Sequence, residues 1–376
     1  MHYLDNAATT RPCPPALQAA LACMETDWAN PASLHEAGRA ARRRLETARA
    51  QVAGALAAAP EDVIFTSGGT ESVHLALRGA AQARRRRGRH IVTTALEHPA
   101  VLKTLEALGG EGFDVTVLPP APGGRISADA LAGALRPDTV LVSVGLVAGE
   151  FGTVGPVAEA AAQIRARAPD VLIHTDAVQG FLKVESRPHA LGVDLLSLSA
   201  HKIGGLKGAG ALWRRPGVRL APVVQGGGQE AGLRSGTEAM PALCAFGAAA
   251  AARAPTWQAD AARMNALKEA LAARLAALPG AVLLPGHDAP HILSVSLPGY
   301  PGEVMLRFLS DRGVYVSTGS ACHRGRRSEG LRALGLPGPV AAGVLRVSLS
   351  PENTPADTEA LLAGLRAGMA SLAHSV

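Results

Sequence analysis

The chain has 376 residues, of which 48% are hydrophobic and 18% are charged. This length suits two domains with large buried cores, and the composition excludes an intrinsically disordered chain. The formal net charge is +6, but the densest basic run, residues 84–89, lies at the predicted end of a helix and has no interleaved aromatic residues, so we expect no direct nucleic-acid binding.

The cysteines are far apart and form neither a C-x-x-C pair nor a zinc-binding spacing; they are Cys13, Cys23, Cys244 and Cys322. This predicts reduced thiols, no metal site and a cytoplasmic protein. The first residues lack a basic segment followed by an apolar one, and no apolar run approaches the roughly 18 residues of a membrane helix. We therefore expect a protein that is neither exported nor inserted in a membrane.

Short β-rich runs alternate with helical stretches in the first two thirds of the chain. The predicted strands cover residues 63–65, 91–94, 115–118, 140–144, 171–175, 195–198 and 209–213. Residues 71–86, 127–135 and 157–167 have helical length and apolar spacing. This alternation predicts an α/β domain with a mainly parallel sheet, and such sheets bind ligands at the carboxyl ends of their strands.

The pattern changes after Pro255, where a long Ala- and Leu-rich helix runs to Leu278. Strands then follow at 291–297, 314–317 and 345–349, with helices at 302–312 and at the end of the chain. This order predicts a smaller α+β domain. We place the large domain at residues 15–255 and the small domain at residues 1–14 and 256–376.

Residues 66–72, Thr-Ser-Gly-Gly-Thr-Glu-Ser, join a predicted strand to a predicted helix. Free backbone N–H groups, hydroxyls and the positive end of the helix suit a phosphate group. The same residues also fit an ordinary helix start, with Ser67 or Thr70 as the N-cap and Glu71 in the first turn. The segment alone leaves both interpretations open.

Asp176 ends a predicted strand, and His98 lies at another junction between a strand and a helix. A carboxylate at Asp176 suits the ring nitrogen of a pyridine cofactor, although an Asp there is also a common N-cap. His98 suits ring stacking or proton transfer, although a lone histidine is more often structural.

Lys202 follows a predicted strand within Ser199-Ala200-His201-Lys202 and precedes a glycine-rich stretch. Small neighbours allow its amine to approach a flat cofactor closely, whereas most lysines only lie at the surface. The glycine-rich stretch has neither the dinucleotide-binding nor the Walker spacing, so we expect no nucleotide site there.

Cys322 lies in a small-residue loop with His323, Arg324, Arg326 and Arg327. Nearby positive charge favours the thiolate over the thiol and so raises the nucleophilic character of this sulfur. A buried, inert cysteine is the usual alternative, but it suits a charged loop poorly.

In this order, the segments resemble the cysteine desulfurases of the class V aminotransferase group along nearly the whole chain. The landmarks are residues 3–10 (Tyr-Leu-Asp-Asn-Ala-Ala-Thr-Thr), 30–35, 66–72, 97–98, 176–179, 199–202, 234–237 and 317–322, and Arg346. The resemblance implies pyridoxal-phosphate fold type I, a homodimer, and conversion of L-cysteine to L-alanine with transfer of sulfur to Cys322. The sulfur would supply iron–sulfur clusters or tRNA thiolation through an acceptor or scaffold protein.

The resemblance also implies a role for each site residue. Lys202 forms the Schiff base, Asp176 pairs with the pyridine nitrogen, Gln179 contacts the phenolic oxygen, and His98 stacks on the ring and carries protons with Lys202. The phosphate is held by Gly69, Thr70, Ser199 and His201, and Thr237 reaches the phosphate of the neighbouring subunit. Arg346 and Asn30 bind the substrate.

Two features depart from the family pattern. Ala148 and Gly149 replace two asparagines before Glu150, and the first asparagine usually helps to hold the cofactor oxygen and the substrate carboxylate. The loop after Cys322 is about two residues shorter than in the long-loop desulfurases and is rich in arginine. Two alternatives to a cysteine desulfurase therefore stay open: a selenocysteine lyase or aminotransferase with the same cradle, and a catalytically weak scaffold for sulfur transfer.

Overall fold

A computed structural model of the protein describes residues 1–121, 123–318 and 329–374. The strands are β1 His2–Tyr3, β2 Val63–Thr66, β3 His90–Thr94, β4 Asp114–Leu118, β5 Thr139–Ser143, β6 Leu172–Asp176, β7 Leu195–Ser199, β8 Gly210–Arg214, β9 Val282–Leu283, β10 Ile292–Ser296, β11 Val314–Tyr315, β12 Ser317–Thr318 and β13 Val344–Ser348. Among the described helices, none is both long and apolar enough to span a membrane.

The described helices lie between or after these strands. They are α1 Pro14–Thr26, α2 Glu36–Ala55, α3 Gly69–Arg84, α4 Pro99–Gly110, α5 Ala128–Gly133, α6 Val157–Arg167, α7 Pro188–Leu191, α8 Met240–Arg253, α9 Trp257–Ala276, α10 Gly302–Ser310, α11 Glu329–Ala333, α12 Gly338–Ala342 and α13 Pro355–Ser371. The basic run predicted at a helix end does follow the last turn of α3.

Seven of the described strands form the central sheet in the order β2-β8-β7-β6-β5-β3-β4. Strand β8 runs antiparallel to both of its neighbours, whereas the pairs from β7 to β4 are all parallel. The predicted mainly parallel sheet is therefore confirmed. Every residue of β3, β5, β6 and β7 is buried, as expected for inner strands covered on both faces.

Alternate residues along the sheet strands belong to two different apolar cores. Leu141, Leu172 and Leu195 pack with helices α3 and α4, whereas their chain neighbours Val142 and Ile173 pack with α2, α6 and α8. This follows from the two-residue period of a strand, which points successive side chains to opposite faces. The sheet is thus the middle of three layers.

A second, four-stranded sheet has the order β12-β13-β10-β9 and is antiparallel. Its core contains Leu293 and Val295 of β10 and Leu345 of β13, together with residues of α9, α10 and α13. The predicted smaller α+β arrangement is confirmed in these elements. The division of the chain at residues 14/15 and 255/256 stays a prediction.

The first ten residues connect the two sheets. Strand β1 pairs in parallel with β11, and Leu4 belongs to the core of the second sheet. Ala7 packs into the core beneath the central sheet instead. The segment therefore crosses from one sheet to the other within a few residues, next to the end of β7.

Candidate active site

The site lies at the carboxyl ends of the parallel strands, where the sequence predicts it. Asp176 is the last residue of β6 and Ser199 the last residue of β7, and the register pairs Asp176 with Ser197. A short 3-10 turn at residues 200–202 follows β7 directly and ends on Lys202. The sheet thus brings the Asp176 carboxylate and the Lys202 amine to the same end of its strands.

Lys202 has a half-buried side chain whose Nζ donates to two backbone carbonyls, at 2.6 Å to Ala7 and 2.8 Å to Ala8. Burial and the nearby Arg346 lower the pKa of Lys202 to about 8, although Asp176 opposes this shift. A much larger fraction of the amine is therefore neutral near pH 7 than for a lysine in water. A neutral amine is what attack on a carbonyl carbon needs.

Asp176 is buried, and its Oδ1 accepts from the N–H of Val178 at 3.0 Å. Burial raises the pKa of Asp176, and attraction to His98 and Lys202 opposes that rise. A cationic ring nitrogen beside this carboxylate would favour its ionised form. The hydrogen bond from Val178 fits the alternative of a local cap, and the cofactor role of Asp176 stays a prediction.

His98 is the N-cap residue of α4, because its Nδ1 accepts from the N–H of Ala100 at 3.0 Å. Desolvation lowers the pKa of His98, so the ring is neutral at pH 7. With Nδ1 accepting, the neutral ring carries its proton on Nε2. His98 can therefore donate a proton from Nε2, but it accepts one only if this cap is broken.

Helix α3 begins at the predicted phosphate cradle. Its N-cap is Gly68, which provides no side-chain cap, and Ser67 and Thr70 do not take that role. Glu71 instead accepts from the Ser67 N–H at 2.8 Å and pairs with Arg234 at 2.8 Å. The prediction of Ser67 or Thr70 as the N-cap is therefore wrong, whereas Glu71 does lie in the first turn, and the phosphate role of this helix end stays a prediction.

Gln179 and the first residues of the chain form one wall of the site. The Nε2 atom of Gln179 donates to the Ala7 carbonyl at 2.8 Å, the same oxygen that accepts from Lys202. Across the turn, His201 Nδ1 lies 3.1 Å from Thr9 Oγ1, and burial lowers the pKa of His201 to about 4. A neutral His201 can therefore act only as a hydrogen-bonding group at neutral pH.

Arg346, on β13, reaches the same wall from the second sheet. Its Nη1 donates to the Gly149 carbonyl at 2.9 Å and its Nη2 to Asp5 Oδ1 at 2.8 Å. A side chain at Gly149 would lie 3.4 Å from Gln179. Arg346, Gly149 and Gln179 are therefore neighbours, and the position of the missing asparagines belongs to the site.

The chemistry of Ser199, Gln179 and Gly69 fits a bound pyridoxal phosphate. Within the part of the chain that the structure describes, Ser199 Oγ and Gln179 Oε1 are buried without a hydrogen-bond partner, so each can bond to a bound group. At Gly69 a Cβ atom would lie 2.6 Å from Val178 Cγ2 and 3.4 Å from Ser199 Cβ, so only glycine allows this close approach.

Two of the described site residues, Asn30 and Thr237, are not brought into these contacts. Asn30 is exposed, and its Oδ1 accepts from the Ala32 N–H at 2.9 Å in a turn. Thr237 is also exposed, three residues after the Arg234 that pairs with Glu71. Cys322 lies outside the described residues. The roles of all three stay predictions.

Two buried residues beside the site, Lys183 and Glu97, are given no role by the sequence, although Glu97 belongs to the landmark at residues 97–98. Lys183 is buried, donates to the Lys202 carbonyl at 2.9 Å, and has its pKa lowered to about 7 by burial. Glu97 accepts from Thr94 Oγ1 at 2.7 Å and from the Gly145 N–H at 2.9 Å, while its Oε2 is buried with no partner in the described ranges. Only the assembled structure shows that each is buried.

Glu97→Gln is expected to change how stability depends on pH. Burial raises the pKa of Glu97 from 4.5 to about 7. Between these values the folded chain keeps a proton that the unfolded chain releases, so the free energy of unfolding falls as the pH rises. This contribution amounts to roughly 3 kcal/mol. Urea unfolding at pH 5.5 and 8 should show a smaller decline for the variant, and equal declines would contradict the buried, protonated carboxyl.

Comparison with known proteins gives one consistent result. The family model described as aminotransferase class-V matches residues 2–361. Cysteine desulfurase IscS of Methanosarcina thermophila is 38% identical over 365 residues, which cover 96% of this chain and 90% of that protein. A solved NifS-like protein superposes with a TM-score of 0.93 at 34% identity, covering 98% of this chain and 99% of its own.

A second similar solved structure is that of SspA in complex with cysteine. It is 33% identical to this chain, covers 94% of it and 100% of its own length, and has a TM-score of 0.81.

Proposed function

The chain belongs to the class V aminotransferase family, and within it to the cysteine desulfurases, and we propose that it converts L-cysteine to L-alanine while Cys322 receives the sulfur. Members of this family depend on pyridoxal phosphate. The observation that carries the proposal is the Lys202 amine, which the Ala7 and Ala8 carbonyls hold directly after β7, where the charges of Asp176 and Arg346 both act on it. The cysteine bound to SspA supports the choice of substrate.

The cofactor, when bound, withdraws electrons from the substrate and makes its Cα proton acidic. Lys202 would provide the amine that holds it and then carry the Cα proton, because the lowered pKa of Lys202 lets this amine take up and release a proton near neutral pH. Asp176 would pair with the ring nitrogen and Gln179 with the phenolic oxygen. Gly69, Thr70, Ser199 and His201 would hold the phosphate.

The sulfur step needs a thiolate and no external oxidant. Cys322 attacks the substrate sulfur, an S–S bond forms, and the C–S bond breaks with its electron pair left on the substrate carbon. Protonation of that carbon gives alanine, so cysteine and the enzyme thiol become alanine and an enzyme persulfide. The arginines beside Cys322 favour the thiolate at neutral pH.

The remaining inferences concern the compartment, the oligomeric state and the partners of the enzyme. We infer a cytoplasmic homodimer, in which Thr237 reaches the partner's phosphate from its exposed loop, with Asn30 contributing to substrate binding. A sulfur acceptor or scaffold protein would then take the persulfide for iron–sulfur cluster assembly or tRNA thiolation.

Product analysis tests the function. The purified holoenzyme with L-cysteine and a thiol reductant should release alanine and sulfide in equal amounts. Alanine formation from selenocysteine but not from cysteine, or transfer of the amino group to a keto acid, would replace cysteine desulfuration with the corresponding lyase or aminotransferase reaction.

Ala148→Asn is expected to lower the KM for cysteine, because it restores an amide next to Gly149, whose carbonyl binds Arg346. A hydrogen bond to a charged group contributes roughly 1.5–3 kcal/mol, so the fall should be about ten- to a hundredfold. Steady-state alanine production measures it. Ala148→Leu, of similar size without an amide, is the matched control, and an unchanged or higher KM in the Asn variant would mean that other groups already satisfy this pocket.

A further inference from the structure

Arg346, the residue proposed to bind the substrate carboxylate, already has a carboxylate partner inside the chain. Asp5 Oδ1 accepts from Nη2 at 2.8 Å, and the two side chains are only 12% and 20% exposed, Arg346 the less exposed. The Gly149 carbonyl accepts from Nη1, while Nε is buried and has no hydrogen-bond partner among the described residues. The guanidinium thus keeps one buried donor unpaired next to the donor that Asp5 takes.

The backbone on both sides of Asp5 is fixed to the strand that carries Arg346. The Ser348 N–H donates to the Leu4 carbonyl at 2.7 Å, and Asn6 donates to the Ser348 carbonyl through its Nδ2 at 3.0 Å. Asp5 itself forms a parallel bridge with Ser348. The position of the Asp5 backbone is therefore set by β13, and only its side chain can turn away from Arg346.

Carboxylates bind a guanidinium best through two parallel hydrogen bonds, and Nε with Nη2 forms one such edge. Asp5 uses only the Nη2 half of this edge. A substrate carboxylate that takes both atoms must compete with Asp5 for Nη2. Asp5 and the substrate carry the same chemical group, so the bond to this donor does not by itself favour the substrate over Asp5.

We propose that Asp5 is a specificity-determining residue, which occupies Arg346 in the free enzyme and yields only to a carboxylate that is also anchored elsewhere. The inference rests on the proposed function, since Arg346 is the carboxylate site there. An amino acid has the second anchor, because its amine reacts where Lys202 lies, and this tethering raises the effective concentration of its carboxylate at Arg346. A simple carboxylic acid lacks this anchor and does not displace Asp5.

Asp5→Asn tests the proposal, since the neutral amide keeps the shape but forms a weaker hydrogen bond to Arg346. The probe is 3-mercaptopropionate, which is cysteine without its amine, and calorimetry on the Cys322→Ser holoenzyme measures its binding without turnover. The Asn variant should bind it about tenfold more tightly, and the KM for cysteine should fall with little change in kcat. Asp5→Ser, which also removes the carboxylate, should act in the same direction.

Asp27→Asn is the matched control, because Asp27 also forms a partly buried ion pair, with Arg44 at 2.6 Å. It should leave both constants unchanged. Unchanged, weaker or undetectable binding of 3-mercaptopropionate in both Asp5 variants would overturn the proposal and make Asp5 a residue that only orients Arg346. A wild-type enzyme that makes no alanine from cysteine would refute the proposed function, whereas the calorimetry would still decide the role of Asp5.

Discussion

Lys202→Ala is expected to abolish the covalent attachment of pyridoxal phosphate and to reduce alanine production roughly a thousandfold or more, with the fold retained. Only a primary amine forms this bond, and the Lys202 amine is positioned by the Ala7 and Ala8 carbonyls at the end of β7. Borohydride reduction followed by mass spectrometry of the peptides locates the modified lysine. In the wild type it should be Lys202.

Lys207→Ala is the matched control, since Lys207 is exposed in the same glycine-rich stretch. This variant should keep the lysyl adduct and full activity. A borohydride-fixed adduct in the Lys202→Ala protein, on Lys183 for example, would show that another amine holds the cofactor.

Cys322→Ser should stop persulfide formation while cysteine still binds, because a hydroxyl is a far poorer nucleophile than a thiolate at neutral pH. Alanine production should fall roughly a hundredfold or more. Mass spectrometry after addition of cysteine should find the extra sulfur on Cys322 of the wild type alone. The absorbance of the bound cofactor, measured with and without cysteine, shows that the variant still binds its substrate.

The other three cysteines provide the internal control for that experiment. Cys13, Cys23 and Cys244 are all buried, and burial raises the pKa of Cys244 to about 12. A thiol of this kind is almost fully protonated at neutral pH and reacts slowly. Extra sulfur on Cys244 would therefore contradict both the assignment of the nucleophile and this physical account.

The inner strands were predictable because each is a short apolar run buried on both faces. Residues 171–175 were predicted as a strand and β6 covers Leu172–Asp176, so the error is one residue at either end. The antiparallel direction of β8 had no local signal, since direction is decided by where the chain returns to the sheet. Helices α1 and α2, which precede the first predicted strand, were not predicted either.

The site was predictable where side chains lie at strand ends, as for Asp176 and Lys202. The remaining parts come from backbone atoms and from distant residues. The Ala7 carbonyl accepts from two side chains more than 170 positions away, and no property of an alanine side chain indicates this. Asp5 lies in residues 3–10, one of the segments that carry the family resemblance. Its partner Arg346 lies 341 positions further on, and only the folded chain brings the two side chains together.

The path of the first ten residues also sets the order in which the enzyme is completed during synthesis. Ala7 and Ala8 emerge early, but the segment that carries them is held by β11 and by Ser348 near the other end of the chain. At roughly 5–20 residues per second, the ribosome needs about 20 to 70 seconds to make the intervening stretch. The central sheet can form in that interval, whereas the contacts of this segment with β11 and Ser348 cannot. The wall beside the Lys202 amine is therefore complete only after synthesis of the last strand.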